Sequence, residues 1–374
     1  MPQAAEKDDL PGVRAVERAA AELRRGRMAL VEGPASGLAI IAAETATPRT
    51  LARLRGVGPA LHLVITAQRG AVLHVNPSGE AVEILALAAD QEAAEIKAIA
   101  DPTADLASPL KGPFRRGRAD EPVLDVHRAA VRLAKIARLL PAVVTSATLT
   151  AAEGDRIARA EDLLRVRAAD IDAYEDAIAA ALQAVASAHV PLAGAEKARI
   201  VAFRPADGGV EHLAILIGEP KPHEAVLTRL HSECFTGDLL GSLKCDCGDQ
   251  LRGALAEIAK AGGGVILYIA QEGRGIGLIN KLRAYSLQDQ GFDTVDANER
   301  LGFLADERAF RPAAEMLQRL GFTRVRLMTN NPDKVAALSE CGIEVTERVP
   351  HAFPSNRHNE HYLLTKRKRS GHYL

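Results

Sequence analysis

At 374 residues the chain is longer than one ordinary domain, and a hydrophobic fraction of 47% supplies apolar side chains for more than one core. A formal net charge of −1 excludes a global attraction to nucleic acid or to an anionic membrane. No apolar run reaches the length of a spanning helix, and the opening MPQAAEKDDLPGVRAVERAA has no apolar h-region, so the chain reads as a reduced, cytoplasmic protein.

In chain order, RAVERAAAELRR (14–25) has the apolar spacing of an amphipathic helix, and MALVE (28–32) reads as a strand after Gly26. The apolar run 38–43 is followed by Thr47 and Pro48, a helix start that leads into TPRTLARLR. LHLVIT and AVEILAL add strands, 126–139 has helical periodicity, and PAVVTS reads as the strand after it. IDAYEDAIAAALQAVASA (171–188) reads as one long helix closing a first domain, 1–184. A second domain, 185–374, starts with VAF and HLAILIG paired around an ADGG turn. Helix DQLRGALAEIAKAG, strand GVILYIA, helices LINKLRAYSLQDQ and RPAAEMLQRLG, strand RVRLMT, helix DKVAALSECG and strand VTERV follow. The alternation predicts two α/β (α+β) domains.

Cys234, Cys245 and Cys247 are three of only four cysteines and fall within fourteen residues, in HSECFTGDLLGSLKCDCGDQ. Three thiolates from one segment hold zinc and leave its fourth tetrahedral position open, where the metal lowers the pKa of a water to roughly 7. Buried thiols or a disulfide are the alternatives, and a reducing compartment disfavours the second. QEGRGIG (271–277) follows a buried strand and suits close approach of backbone N–H groups to phosphates, with Arg274 adding a fork; a plain tight turn is the alternative. It is neither a P-loop nor a dinucleotide fingerprint, because the glycine spacing differs. TNNPDK (329–334) reads as a helix start with Thr329 near the cap and Lys334 one turn in. Asp306 and Arg308 stand two apart in ADER, a spacing that a surface ion pair also explains.

Together these segments closely resemble GTP cyclohydrolase II. RLHSECFTGDLLGSLKCDCGDQL, LYIAQEGRGIGLINKLRAYSLQDQGFDTVDAN, LGFLADER, LMTNNPDKV and NEHYLLTKRKRSGH carry the likeness over residues 200–374. The resemblance implies hydrolysis of GTP to 2,5-diamino-6-(5-phosphoribosylamino)pyrimidin-4(3H)-one, formate and pyrophosphate, the first step of riboflavin synthesis. It implies one zinc ion per chain on Cys234, Cys245 and Cys247, Mg²⁺ with the triphosphate, and a homodimer. It places Arg229, Leu230, His231, Ser232, Glu233, Gln250, Glu272, Gly273, Arg274, Thr294, Thr329 and Lys334 around GTP, and Tyr285 near the ring being opened. Glu272 is the natural acceptor for the donor edge of guanine. Asp306 becomes the proton acceptor and Arg308 the proposed nucleophile toward the α-phosphate. A guanidinium stays protonated below pH ~12 and has no free lone pair, so a clamp on charge developing at phosphorus is the alternative for Arg308. The basic run KRKR (366–369) lies inside a family-like segment and reads as a solvated tail, with no nucleic-acid or membrane partner implied.

Two competing readings are a zinc- and nucleotide-binding regulator without turnover and a cyclohydrolase for another nucleotide. The first would be expected to lose Asp306 or a cysteine, the second to alter residues 229–233, Glu272 or Tyr285, and the sequence does neither.

The first half resembles 3,4-dihydroxy-2-butanone 4-phosphate synthase, through AVERAAAELRRGRMALVEGPASGLAIIAAETATPRTL and HRAAVRLAKIARLLPAVV. The synthase's acidic loop is shortened here to EGPASG (32–37), with Glu32 its sole carboxylate, too few for a hard divalent cation. His127 matches a synthase histidine, but Arg128 and Ala129 stand where Thr and Glu are expected, and Ala147 replaces a glutamate. A synthase-like fold without the reaction is expected.

Overall fold

The structure, a computed structural model, describes residues 10–58, 60–117, 121–353 and 369. The segment NEHYLLTKRKRSGH and its basic run, apart from Arg369, lie outside the described residues. The chain divides into two compact units. One comprises Met1–Tyr174 with Leu282–Phe292 and Asp296–Ala305; the other comprises Glu175–Lys281, Asp293–Val295 and Asp306–Leu374.

The first unit is built on a sheet of β1 (Ala29–Glu32), β2 (Ser36–Ala42), β3 (Leu61–Thr66), β4 (Val82–Ala86), β5 (Arg115–Arg116), β6 (Ala142–Ser146), β7 (Leu149–Thr150) and β8 (Leu164–Arg167). Their order is β5-β4-β3-β6-β2-β1-β8, with β7 on β2; only the β1–β8 pair is parallel. Thr47 starts the helix Pro48–Val57 as expected: its hydroxyl accepts from Thr50 N at 3.2 Å, and Pro48 sits where no N–H is needed. Glu32 and the following loop form the β1–β2 hairpin, closed by Gly33 N donating to Ser36 O at 2.7 Å. The Glu32 carboxylate is held by Arg165 at 2.7 Å. His127 is buried on the helix Glu121–Ile136. Residues from late in the chain complete this unit. Thr66 Oγ1 donates to Gly302 O at 2.8 Å, Arg283 pairs with Glu44 at 2.9 Å, and Phe303 is buried.

The second unit carries a sheet of β9 (Gln183–His189), β10 (Ala198–Arg204), β11 (His212–Gly218), β12 (Val226–Ser232), β13 (Gly263–Ile269), β14 (Arg324–Met328) and β15 (Glu344–Val349), in the order β15-β14-β12-β13-β11-β10-β9. One half is antiparallel; β13, β12, β14 and β15 run parallel. Period-two alternation splits its apolar residues between two cores. Val265, Leu267 and Ile269 pack with Met316 and Leu317 of the helix Arg311–Arg319, whereas Ile266 packs with Ala254 and Ile258 of the helix Cys247–Lys260.

One expected element is different. The run 171–188 is not a single helix: the helix is Ala168–Ala180, Leu182 turns into the core, and β9 follows as an edge strand antiparallel to β10. Alanine is the strongest intrinsic helix former, but propensity is worth only tenths of a kcal/mol per residue, and the ladder of hydrogen bonds offered by the β10 edge outweighs it. The helix expected from TNNPDK starts at Pro332 with Thr329 near its cap, and the cap itself is Asn331, whose Oδ1 accepts from Asp333 N at 3.0 Å.

Candidate metal centre and active site

The candidate site forms where parallel strands end. β13, β12 and β14 point the same way, so the loops after them open along one edge of the sheet, the usual ligand position in α/β layers. Residues 233–234 follow β12, 271–275 follow β13 and 329–331 follow β14. Alternation also sorts β12. Val226 and Leu230 enter one core and Leu227 the other, so Arg229 and His231 share the face of Leu227, under the helix Cys247–Lys260.

Cys234 leaves β12 into the wide turn Phe235–Leu239, and Cys245 and Cys247 lie at the start of the helix Cys247–Lys260. The three Sγ atoms lie within 4.8 Å of one another, with Cys234 and Cys245 at 3.8 Å and no disulfide among the described cysteines. Tetrahedral zinc with bonds of about 2.3 Å spaces its sulfurs by about 3.8 Å, so the donor set and its spacing fit that ion with one position left open. Without a cation the thiols compete. Hydrogen bonds from Cys245 and then Cys247 pull the Cys234 thiol down, against burial, and the Lys281 ammonium adds to this. Cys245 and Cys247 are both pushed up, first by hydrogen bonding to Cys234. A bound divalent cation is what allows all three to be thiolates together.

Around the thiols the buried groups are held by named partners. Asp238 accepts from His231 Nε2 at 3.0 Å, Cys234 N at 3.0 Å and Tyr268 OH at 3.0 Å. Burial holds His231 below the usual imidazole range, so the ring is neutral, and its Nδ1 is buried without a hydrogen bond from the described residues. Burial also lowers Arg229, to about 10, with Asp246 acting in the opposite sense, and leaves it protonated at neutral pH. Arg229 donates to Met328 O at 2.9 Å and to Gln250, while its Nε has no partner among the described residues. Two such atoms on one buried face are positions that a bound ligand or an ordered water would satisfy. Ser232 Oγ accepts from Gln271 at 3.0 Å. Lys334, buried, donates to Leu230 O at 3.0 Å from the helix Pro332–Glu340, and Thr329 Oγ1 accepts from Asn331 N at 3.0 Å.

The 271–277 loop has Gly273, Arg274, Gly275 and Gly277 all at positive φ. Arg274, at φ 62°, occupies a region that side chains seldom adopt, a form of strain concentrated at functional sites. A Cβ on Gly275 would meet Glu307 O at 2.7 Å, and Glu307 N donates to Arg274 O at 3.1 Å, so this loop lies against the 306–308 segment. There Arg308 grips Asp306 with a two-pronged hydrogen bond, Nε to Oδ1 at 2.8 Å and the terminal amine to Oδ2. Burial raises the Asp306 carboxyl, but the Arg308 hydrogen bond and charge outweigh it and hold it below the usual carboxylate range.

The structure therefore brings Arg229, His231, Gln250, Glu272 and the three cysteines into one network, with Arg274 beside the Asp306–Arg308 pair. Glu233 follows β12, its N–H donating to Ile269 O at 2.9 Å. Thr294 opens the helix Thr294–Arg300, and Tyr285 lies in 282–292, which groups with the first unit. Sequence reasoning missed Asp238, Tyr268 and Lys281. Asp238 lay inside the cysteine segment, and a buried lysine on the helix after QEGRGIG was the available signal for Lys281.

The sequence model of the family "GTP cyclohydrolase II" matches residues 183–350. A GTP cyclohydrolase-2 from Azospirillum brasilense is 52% identical over 378 residues, covering 99% of this chain and 97% of the relative. One from Escherichia coli K12 is 55% identical over 175 residues, covering 47% of this chain and 89% of that enzyme. The crystal structure of a two-domain 3,4-dihydroxy-2-butanone 4-phosphate synthase from A. baumannii aligns over 90% of this chain and 99% of its own at 18% identity, with a TM-score of 0.35, too low to carry an argument.

Proposed function

The chain belongs to the GTP cyclohydrolase II family of riboflavin biosynthesis, and we propose that the thiol cluster and the loops beside it form its working GTP site. The observation that carries this reading is the set of three mutually close thiols next to buried cations at the ends of β12 and β14. Cys234, Cys245 and Cys247 would hold a zinc ion, which would supply Lewis-acid activation of water.

The chain's own residues do the rest. Guanine C8 is a poor electrophile and has to be held still beside the metal. Glu272 Oε1 accepts from Gly273 N and Lys281, while Oε2 accepts from Phe235 N at 2.6 Å, which leaves Oε2 one acceptor direction for the donor edge of guanine. His231 Nδ1 and Arg229 Nε, buried and without a hydrogen-bond partner among the described residues, offer one acceptor and one donor. His231, Ser232 and Glu233 line the nucleotide with Gln250, Gly273, Thr294 and Thr329, whereas the Leu230 side chain enters the core and its carbonyl holds Lys334. Arg229, Arg274, Arg308 and Lys334 offset the triphosphate, and Mg²⁺ supplies further positive charge. Two waters are consumed in opening the ring and releasing formate, and a third in releasing pyrophosphate. Asp306, ionised at neutral pH, is the proton acceptor and holds Arg308 by its Nε and one terminal amine, and the guanidinium stabilises charge developing at the α-phosphate.

On this reading the catalytic domain runs along the chain from 185 to 374, and the enzyme is a cytoplasmic homodimer without nucleic-acid or membrane partners. No helix among the described residues is long and apolar enough to cross a membrane. Residues 1–184 are on this reading a synthase-like domain without synthase chemistry, and Glu32, the lone carboxylate of residues 32–37, is engaged by Arg165 at 2.7 Å. The test is the purified protein with GTP and Mg²⁺, following formate, pyrophosphate and the pyrimidine together. All three should rise in step. Intact GTP with metal-loaded protein would refute the assignment, and formation of a four-carbon phosphate from ribulose 5-phosphate would refute the inert first domain.

A further inference from the structure

Lys281 lies in the first turns of the helix Leu278–Asp289 and is buried with its charge. Its ammonium donates to Cys234 Sγ at 3.1 Å and to Glu272 Oε1 at 2.8 Å. The other oxygen of Glu272 accepts from Phe235 N, the residue after Cys234, at 2.6 Å. One ion pair thus grips Cys234 twice, at its sulfur and at the amide that follows it. The side chains of Lys281 and Glu272 are only 10% and 5% exposed, so solvent screens neither contact. The stem of Lys281 is packed as well: a Cβ on Gly273 would sit 3.1 Å from Lys281 Cβ. Three thiolates around a divalent cation carry a net negative charge, and Glu272 adds another. A buried ammonium touching both is the counter-charge, and a buried ion pair is tolerated only with such geometry.

Resting on the reading of the thiols as a metal site, we propose that Lys281 is a positioning residue of that centre, which hydrogen-bonds the Cys234 thiolate and, through Glu272, fixes the turn that presents it. The contact withdraws electron density from one ligand sulfur. A metal held by a hydrogen-bonded thiolate is a stronger Lewis acid than one held by a bare thiolate, and groups behind the ligands are typically worth 10–100-fold in metal affinity.

The experiment uses the full chain loaded with Co²⁺ in place of zinc and reads the sulfur-to-cobalt charge-transfer band together with metal retention against a chelator. Donation to the sulfur lowers its lone-pair energy, so Lys281→Met should move the band to longer wavelength and weaken retention by ~10–100-fold. Lys281→Gln, a neutral donor, should give a smaller shift, and Lys281→Arg should restore the wild-type band. The double variant Lys281→Met with Glu272→Gln removes both charges, so that an unpaired buried carboxylate does not decide folding. It should keep the shifted band. An unchanged band and unchanged retention in Lys281→Met and Lys281→Gln would overturn the proposal while leaving the metal site standing. A wild-type protein that binds no cobalt, or binds it equally after Cys245→Ser, would overturn the metal site and the proposal together.

Discussion

A methyl group on Gly237 would stand 2.7 Å from Cys245 Sγ and 3.1 Å from Cys234 Sγ, closer than carbon and sulfur approach. Gly237→Ala should therefore spread the thiols and lose most of the bound metal while the chain stays folded. Metal analysis showing a full complement would contradict this. Cys245→Ser serves as the reference, because oxygen is a poorer zinc ligand than thiolate. At the phosphate end, Arg308→Ala should slow pyrophosphate release by ~10²-fold or more if the guanidinium stabilises the transition state. Normal turnover would remove it from the mechanism. The cysteines were legible in the sequence because few residue types bind zinc and their spacing is short. Asp238, Tyr268 and Lys281 were not, because a carboxylate, a phenol or an amine has many ordinary roles. What singles these out is a partner: Tyr268 meets Asp238 from thirty residues away, and Lys281 meets Cys234 from forty-seven.

Elements were legible where apolar periodicity was clean, as in Gly263–Ile269 and Arg311–Arg319. β12 was passed over because Thr228, Arg229 and His231 interrupt its apolar pattern, and all three are buried. The polar residues that make a strand useful are the ones that hide it. Strand-borne histidines have a further consequence. Burial lowers His62 on β3 and His231 on β12, and also His351 after β15, below the ordinary value of 6.5. An unfolded chain takes up those protons at higher pH than the folded one. The stability they contribute is therefore complete above pH about 6.5 and is lost as pH falls from there toward the folded-state values. Urea unfolding of the Cys245→Ser protein, which sets most metal coupling aside, should show a lower midpoint at pH about 5.5 than at about 7.5. An equal or higher midpoint would contradict this, and His62→Asn should shrink the difference.

At the scale of the molecule, a truncation starting at residue 185 keeps every cysteine of the cluster but removes the partners of 282–305. Gly302 loses Thr66, Arg283 loses Glu44, and Gln290 loses the Thr103 carbonyl. Leu287, Leu301 and Phe303 are fully or almost fully buried and belong to the first unit. Exposing such side chains costs roughly 1.5–3 kcal/mol each. The truncated protein should bind metal and retain some activity, yet melt at lower temperature and scatter more light than the full chain. Equal stability and monodispersity would show that the first unit does not hold this stretch.

The same interleaving has a consequence for synthesis on the ribosome. The first unit takes its last segments from residues up to Ala305, long after Tyr174 has emerged. At ~5–20 residues per second, the half that is made first waits on the order of ten seconds for the pieces that finish it. During that interval the nascent chain carries an unfinished apolar core, and the ordinary rule that an N-terminal domain is completed before its neighbour begins does not hold for this protein.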